Sequence, residues 1–152
     1  MERGLILKKG TIVDSTIISA PSSTKNKEKK RDPDAHQVKK GNTWHFGYKA
    51  HIGVDRDSGL VHTVEATAAN VHDATETSKL LTGDEDEVYG DSGYLGAEKR
   101  GDAIIRNKAG RKIKYRINRR PSQVKKLSKS GQYAAKKAEH AKSSVRAKVE
   151  HV

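Results

Sequence analysis

The chain contains no cysteine, so neither disulfides nor thiolate zinc sites contribute to its stability or chemistry. Long apolar runs are missing too. None approaches the roughly 18 residues of a membrane span, and the opening MERGLILKKG lacks a signal-peptide core. The expectation is a soluble, intracellular protein without a membrane partner. There is no phosphate loop of the Walker type, because Lys39-Lys40-Gly41-Asn42-Thr43 lacks its spacing. There is no serine nucleophile elbow either, since Asp91-Ser92-Gly93 departs from G-x-S-x-G. The seven histidines show no zinc-like pairing. A structural or phosphate-contacting role is expected for most of them: His51 and His62 are placed to face each other across a hairpin, and His72-Asp73 falls at a helix start, where a supporting role at a nearby site is the lesser alternative. Hydrophobic residues make up only 33% of 152 residues, no more than the charged share. A modest core with loop or tail around it follows.

What the chain does have is positive charge. Its formal net charge is +12, unevenly spread. Lys25 to Lys40 holds seven Lys/Arg and three acids, and Arg106 to Lys148 holds sixteen Lys/Arg against Glu139 alone. Between them, Thr82 to Asp102 holds seven acids and two Lys/Arg. Basic arms around an acidic centre suit a catalytic site fed by phosphate-binding surfaces.

Three acids stand apart from the rest: Asp14 in GTIVDSTII, Asp91 in VYGDSGYLG, and Glu150 in SSVRAKVEHV. A lone carboxylate in an apolar strand is costly unless a proton, a partner or a metal compensates it. Each has an ordinary explanation by itself. Asp14 suits a strand-end salt bridge, Asp91 a turn or helix cap, and Glu150 a surface pairing with Arg146 four residues earlier. As a set, two strand aspartates and a helical glutamate in a basic chain are the donors that hold two Mg²⁺ or Mn²⁺ ions over a phosphodiester.

The elements can be placed coarsely. Thr11 to Ser19 reads as a buried central strand. A polar, basic loop or insertion covers 21–43. Phe46, Tyr48, Ala50, Ile52 and Val54 alternate with Gly47, Lys49, His51, Gly53 and Asp55, which predicts a half-buried strand. Asp55 to Gly59 is a hairpin turn, and Leu60 to Thr67 is the returning strand. Asp73, with Glu76 as a capping box, opens a helix that ends near Leu81. Val88 to Gly90 is a short strand delivering Asp91 at its carboxyl end, where ligands collect in α/β sheets. Glu98 to Arg106 is a candidate helix, Lys112 to Ile117 a candidate strand, and Arg119 to Gly131 loop-like. From Ala134, the residues Ala138, Ala141, Val145, Val149 and Val152 form a narrow helical stripe with Glu150 at its edge. Trp44 and Tyr48, beside Lys39, Lys40 and Lys49, are placed to stack on bases, with core and sheet-edge packing as the equal alternative.

Several blocks resemble, in order, a DDE transposase of bacterial insertion sequences, in the insertion-sequence-five group. They are IVDSTIISAPSSTKN, HQVKKGNTWHFGYKAHIGVD, ATAANVHD, VYGDSGYLG, and INRRPS followed by R-x-x-x-E at Arg146 and Glu150. The resemblance implies an α/β, RNase H-like mixed sheet with flanking helices, over one partial domain spanning 1–152. It implies metal-dependent DNA cleavage and strand transfer, with Asp14, Asp91 and Glu150 holding two divalent ions. Tyr94 and Arg146 would then lie beside the site against DNA phosphates, and Lys39, Lys40, Arg119 and Arg120 complete the expected DNA contacts. The partners are the element ends and target DNA, in the bacterial cytoplasm and nucleoid, and a homo-oligomer is compatible with this. The chain departs from the resemblance at both ends. It starts 13 residues before Asp14 and stops two after Glu150. The expectation is therefore truncation at both ends, an incomplete C-terminal helix and impaired activity. The alternative is a non-catalytic, basic nucleic-acid-binding remnant.

Overall fold

A computed structural model describes residues 4–22, 28 and 30–151, with His151 through its backbone only. Lys25, Lys27 and Lys29 of the basic loop, and Val152 of the helical stripe, lie outside the described residues. Six strands form one sheet: β1 (Gly10–Ser19), β2 (His36–Lys40), β3 (Thr43–Asp55), β4 (Val61–Ala68), β5 (Glu87–Gly90) and β6 (Lys114–Ile117). Along the sheet the order is β2-β3-β1-β5-β6, with β4 also paired to β3. Strand β3 is antiparallel to both β1 and β4, whereas β5 and β6 run parallel to β1. This mixed sheet, with helices α1 (Asp73–Glu76), α2 (Pro121–Lys125) and α3 (Lys129–Arg146), has the arrangement of an RNase H-like fold.

Strand β1 is the axis. Its Ile, Val and Thr residues favour extended backbone, and successive side chains alternate between faces. Val13 enters a core of Leu80, Leu81, Val88, Tyr94, Ile113 and Ile117. Ile12, equally buried, takes the opposite face, and Asp14 shares that face because it lies two residues on.

Strand β3 holds the main surprise. Of the alternating apolar set, Val54 is buried but Phe46, Tyr48, Ala50 and Ile52 are only half-buried, whereas Gly47, Lys49, His51, Gly53 and Asp55 are all buried. Gly53 explains the inversion. A Cβ there would come within 2.5 Å of the Leu80 carbonyl, so the glycine lets the segment after α1 press onto the strand. Its polar neighbours are buried with partners. The Lys49 Nζ donates to the Asp73 carboxylate and the Val71 carbonyl, each at 2.9 Å. The Asp55 carboxylate accepts from the Ser58 amide and hydroxyl and from the Lys8 amide.

Other boundaries differ for physical reasons. Strand β2 lies inside the expected loop. HQVKK has a polar side chain at four of its five positions and shows no period-two signal, yet it pairs with Thr43 to Gly47 as a hairpin extending β3. The N-cap of α1 is His72, whose Nδ1 accepts from the Ala74 amide, and Asp73 is left free to meet Lys49. Glu76 pairs with Lys79 and does not close a capping box. His51 lies opposite Glu65, so it does not face His62. Of the expected helix over 98–106, only Glu98 and Lys99 are helical, within the 3-10 turn Ala97–Lys99. Pro121 opens α2 inside the expected loop, at the helix position where a missing amide hydrogen is harmless.

The C-terminal helix is present. Ser128 caps α3 by accepting from the Gly131 amide, and the helix passes into a 3-10 turn at Ala147–His151. Its docked face matches the expected stripe only at the end, where Val145 and Val149 are half-buried. Ala138 and Ala141 are exposed, while Gln132, Ala135, Glu139, Lys142 and Arg146 face inward. Polar bonds attach it. Asn118 Nδ2 donates to the Glu139 carboxylate at 2.8 Å, and the Lys142 Nζ reaches both Glu139 and the Ile117 carbonyl at 2.9 Å. Burial pushes the Glu139 carboxyl up, but bonds from Lys142, Arg119 and Asn118 outweigh it and hold it below its ordinary range.

Candidate active site

The strand register brings two of the three singled-out acids together. Ile12 lies opposite Tyr89 in the parallel β1–β5 pair. Two residues further along each strand are Asp14 and Asp91, so their carboxylates arrive side by side at the carboxyl end of β5. They line a cleft of about 180 Å³ together with Asp73, Lys39, Lys40 and Lys49. The chain leaves β5 tightly here. The Asp91 Oδ1 accepts from the Gly93 amide at 2.7 Å and so caps the 3-10 turn Ser92–Tyr94. A Cβ on Gly93 would sit 2.9 Å from Asp91 Oδ1 and 3.3 Å from Asp73 Oδ2, so the glycine keeps both oxygens clear.

The electrostatics are those of crowded carboxylates. Burial pushes the Asp14 carboxyl above its ordinary value. The Ser15 amide, 2.8 Å away, and the Arg146 guanidinium oppose that shift, and the neighbouring Asp91 adds to it. The Tyr94 hydroxyl lies beneath the cleft, pushed strongly up by burial and then by the charges of Asp73, Asp14 and Asp91. The Ser15 hydroxyl opposes that shift in part. The tyrosine ring packs against Gly90 and Ile117 in the core, leaving Tyr94 1% exposed. Tyr94 is therefore a core residue under the acids and not a surface contact for DNA.

The other expected residues divide into two groups. Lys39 and Lys40 are exposed on the hairpin and line the cleft. Arg146 reaches in from α3, its Nη1 donating to Asn118 Oδ1 at 3.1 Å and its charge acting on Asp14. Arg119 and Arg120 are exposed at the start of α2. Glu150 is also exposed, in the 3-10 turn after α3, and does not line the cleft. Among the described residues, no three His, Cys, Asp or Glu side chains are gathered closely enough to hold a metal ion.

Over residues 6–152 the chain matches the family described as the transposase DDE domain. The chain belongs to this family. No solved structure matches it. In this transposase domain, sequence reasoning gave Asp73 only a supporting role at a helix start and missed Lys49 as its partner. The signal was a lysine on the glycine-bearing face of an otherwise regular strand. The acids of 82–102, by contrast, serve mostly structure. Glu85 is fully buried and accepts from Thr82, Gly83 and Thr11, while Glu87 pairs with Arg56 and Arg116. No helix among the described residues is long and apolar enough to cross a membrane.

Proposed function

We propose that this transposase domain cuts DNA at the ends of a mobile element of the insertion-sequence-five group and joins the freed 3′ hydroxyl to target DNA. Two divalent ions, Mg²⁺ or Mn²⁺, are the cofactors of this reading, with Asp14, Asp91 and Glu150 as their ligands. The observation that carries it is the meeting of Asp14 and Asp91 in a cleft rimmed by lysines. Their oxygens are hard donors of the type magnesium takes, and few protein ligands suffice when substrate oxygens complete the shell. Bound magnesium supplies charge neutralisation at the reacting phosphate and a more acidic attacking water.

The chain's own residues do the remaining work. Asp14, held partly out of water, gains most from a cation. Lys39, Lys40, Arg119 and Arg120 neutralise and position the DNA backbone. Tyr94 keeps a neutral phenol under the acids, adding no further negative charge there. Glu150 stands four residues after Arg146, and regular α-helix through 147–150 would put both on one face, toward Asp14. One observation favours a second reading, a non-catalytic binder of nucleic acid: Glu150 is exposed and outside the cleft. Cleavage and strand-transfer assays with Mg²⁺ or Mn²⁺ separate the two. Asp91→Asn is expected to abolish cutting while salt-sensitive DNA binding persists; cutting by that variant refutes the role given to Asp91.

A further inference from the structure

The β2–β3 hairpin carries a second feature that the cleavage reading does not use. Trp44 is 63% exposed, although a large aromatic ring in water is unfavourable and the chain has a single tryptophan. It stands directly opposite Lys39 in the hairpin register, so the two side chains share a face as close neighbours. Lys39 also lines the carboxylate cleft. Behind Trp44 is a separate opening of about 500 Å³, lined by Arg31, His36, Gln37, Trp44 and Phe46 among others. Phe46 lies two residues along the strand from Trp44, on the same face, and the Arg31 guanidinium sits 4.7 Å from its ring centroid. The acid on the rim, Asp32, is already engaged by the Tyr48 hydroxyl at 2.6 Å and the Asp34 amide at 3.0 Å.

We infer that this opening is a stacking site for one unpaired nucleobase of the DNA strand that enters the carboxylate cleft, with Lys39 on that nucleotide's phosphate and Trp44 on its base. Aromatic walls fit a base's flat face, and the Gln37 amide, opposite Phe46 on the same face, suits its polar edge. The occupant is an unstacked base because bases within a duplex have both faces covered by their neighbours. Lysines beside the tryptophan match a phosphate-bearing ligand and disfavour a basic or apolar peptide. The inference rests on DNA being the partner, and it adds a preference for single-stranded or frayed DNA near the cut.

Trp44 is the chain's own reporter. The full chain is titrated, without divalent metal, against an oligothymidylate and against a duplex closed by hairpins at both ends. Binding is followed by the anisotropy of labelled DNA and stacking by tryptophan emission. Both DNAs are expected to bind, but only oligothymidylate quenches Trp44. Trp44→Ala is expected to weaken oligothymidylate binding about 5- to 150-fold with an unchanged salt slope, and Trp44→Phe to restore much of it. Lys39→Ala weakens both DNAs alike and lowers the slope. Saturable oligothymidylate binding without quenching, or wild-type affinity in Trp44→Ala, overturns the stacking site. Failure of both DNAs to bind overturns instead the assignment of DNA as partner.

Discussion

Asp14 is a carboxylate whose surroundings disfavour its own charge. Burial raises its pKa above the ordinary 3.8, so the native state holds this proton more tightly than the unfolded chain does. The sign follows: near neutral pH the ionised group weakens the fold, and the penalty fades as pH falls through the raised value. Asp14→Asn is therefore expected to melt no lower than the parent at pH 7 without divalent metal, while losing any cutting activity under the proposed function. Calorimetry checks this, and a drop of several degrees contradicts it. His51 and His62 show the opposite behaviour. Burial lowers both below the ordinary 6.5, against the pull of nearby acids. His51 Nε2 pairs with Thr67 at 2.8 Å, and His62 with Thr63 at 2.8 Å and Thr11 at 3.1 Å. Both are neutral in the folded protein, so stability is full above pH 6.5 and is lost as pH falls below it. Urea midpoints measured between pH 7.5 and 5.5 should fall, and fall less steeply in His62→Gln. An unchanged slope in that variant means His62 is not one of the titrating groups.

At the scale of elements, α3 is attached by polar bonds more than by apolar burial. Asn118 joins Glu139, Ser143 and Arg146 at once. Asn118→Ala removes one bond from each of those groups, a loss of about 1–3 kcal/mol. Hydrogen exchange is expected to accelerate across α3 while β1 and β3 stay protected; uniform acceleration shows that the helix is not a separable unit. On the hairpin, removing Lys39 and Lys40 together should reduce the salt slope of duplex binding by about 2, roughly 0.9 per phosphate contact. No change in slope shows that neither lysine touches DNA. These elements also mark what the sequence revealed. Strand β1, the β3–β4 turn and the delivery of Asp91 by β5 were legible, because apolar runs bounded by Gly and Asp report local backbone preference directly. The β2 strand, the buried polar face of β3 and the docked polar face of α3 were not. Each is set by a partner distant in the chain: Thr43 to Gly47 for β2, the Leu80 carbonyl and Asp73 for β3, and Asn118 for α3. The position of Glu150 was illegible for the same reason, since periodicity on a helix says nothing about where a 3-10 turn replaces it.

For the whole molecule, the sheet draws residues far apart in sequence to one end. Asp14 comes from the first strand, Asp91 from the fifth, Lys39 and Lys40 from the hairpin, and Arg146 from the last helix. Positive charge surrounds this end, while Glu85 and Glu87 are bound into the framework. The central claim is that Asp14 and Asp91 together seat a divalent cation. The most direct measurement is an Mn²⁺ titration of the labelled chain by NMR, following paramagnetic broadening of backbone amides, which requires no DNA and no activity. Broadening is predicted to centre on Asp14–Ser15 and Asp91–Gly93 and to disappear in Asp91→Asn. Broadening centred on Asp84–Glu87, or unchanged in that variant, would contradict it.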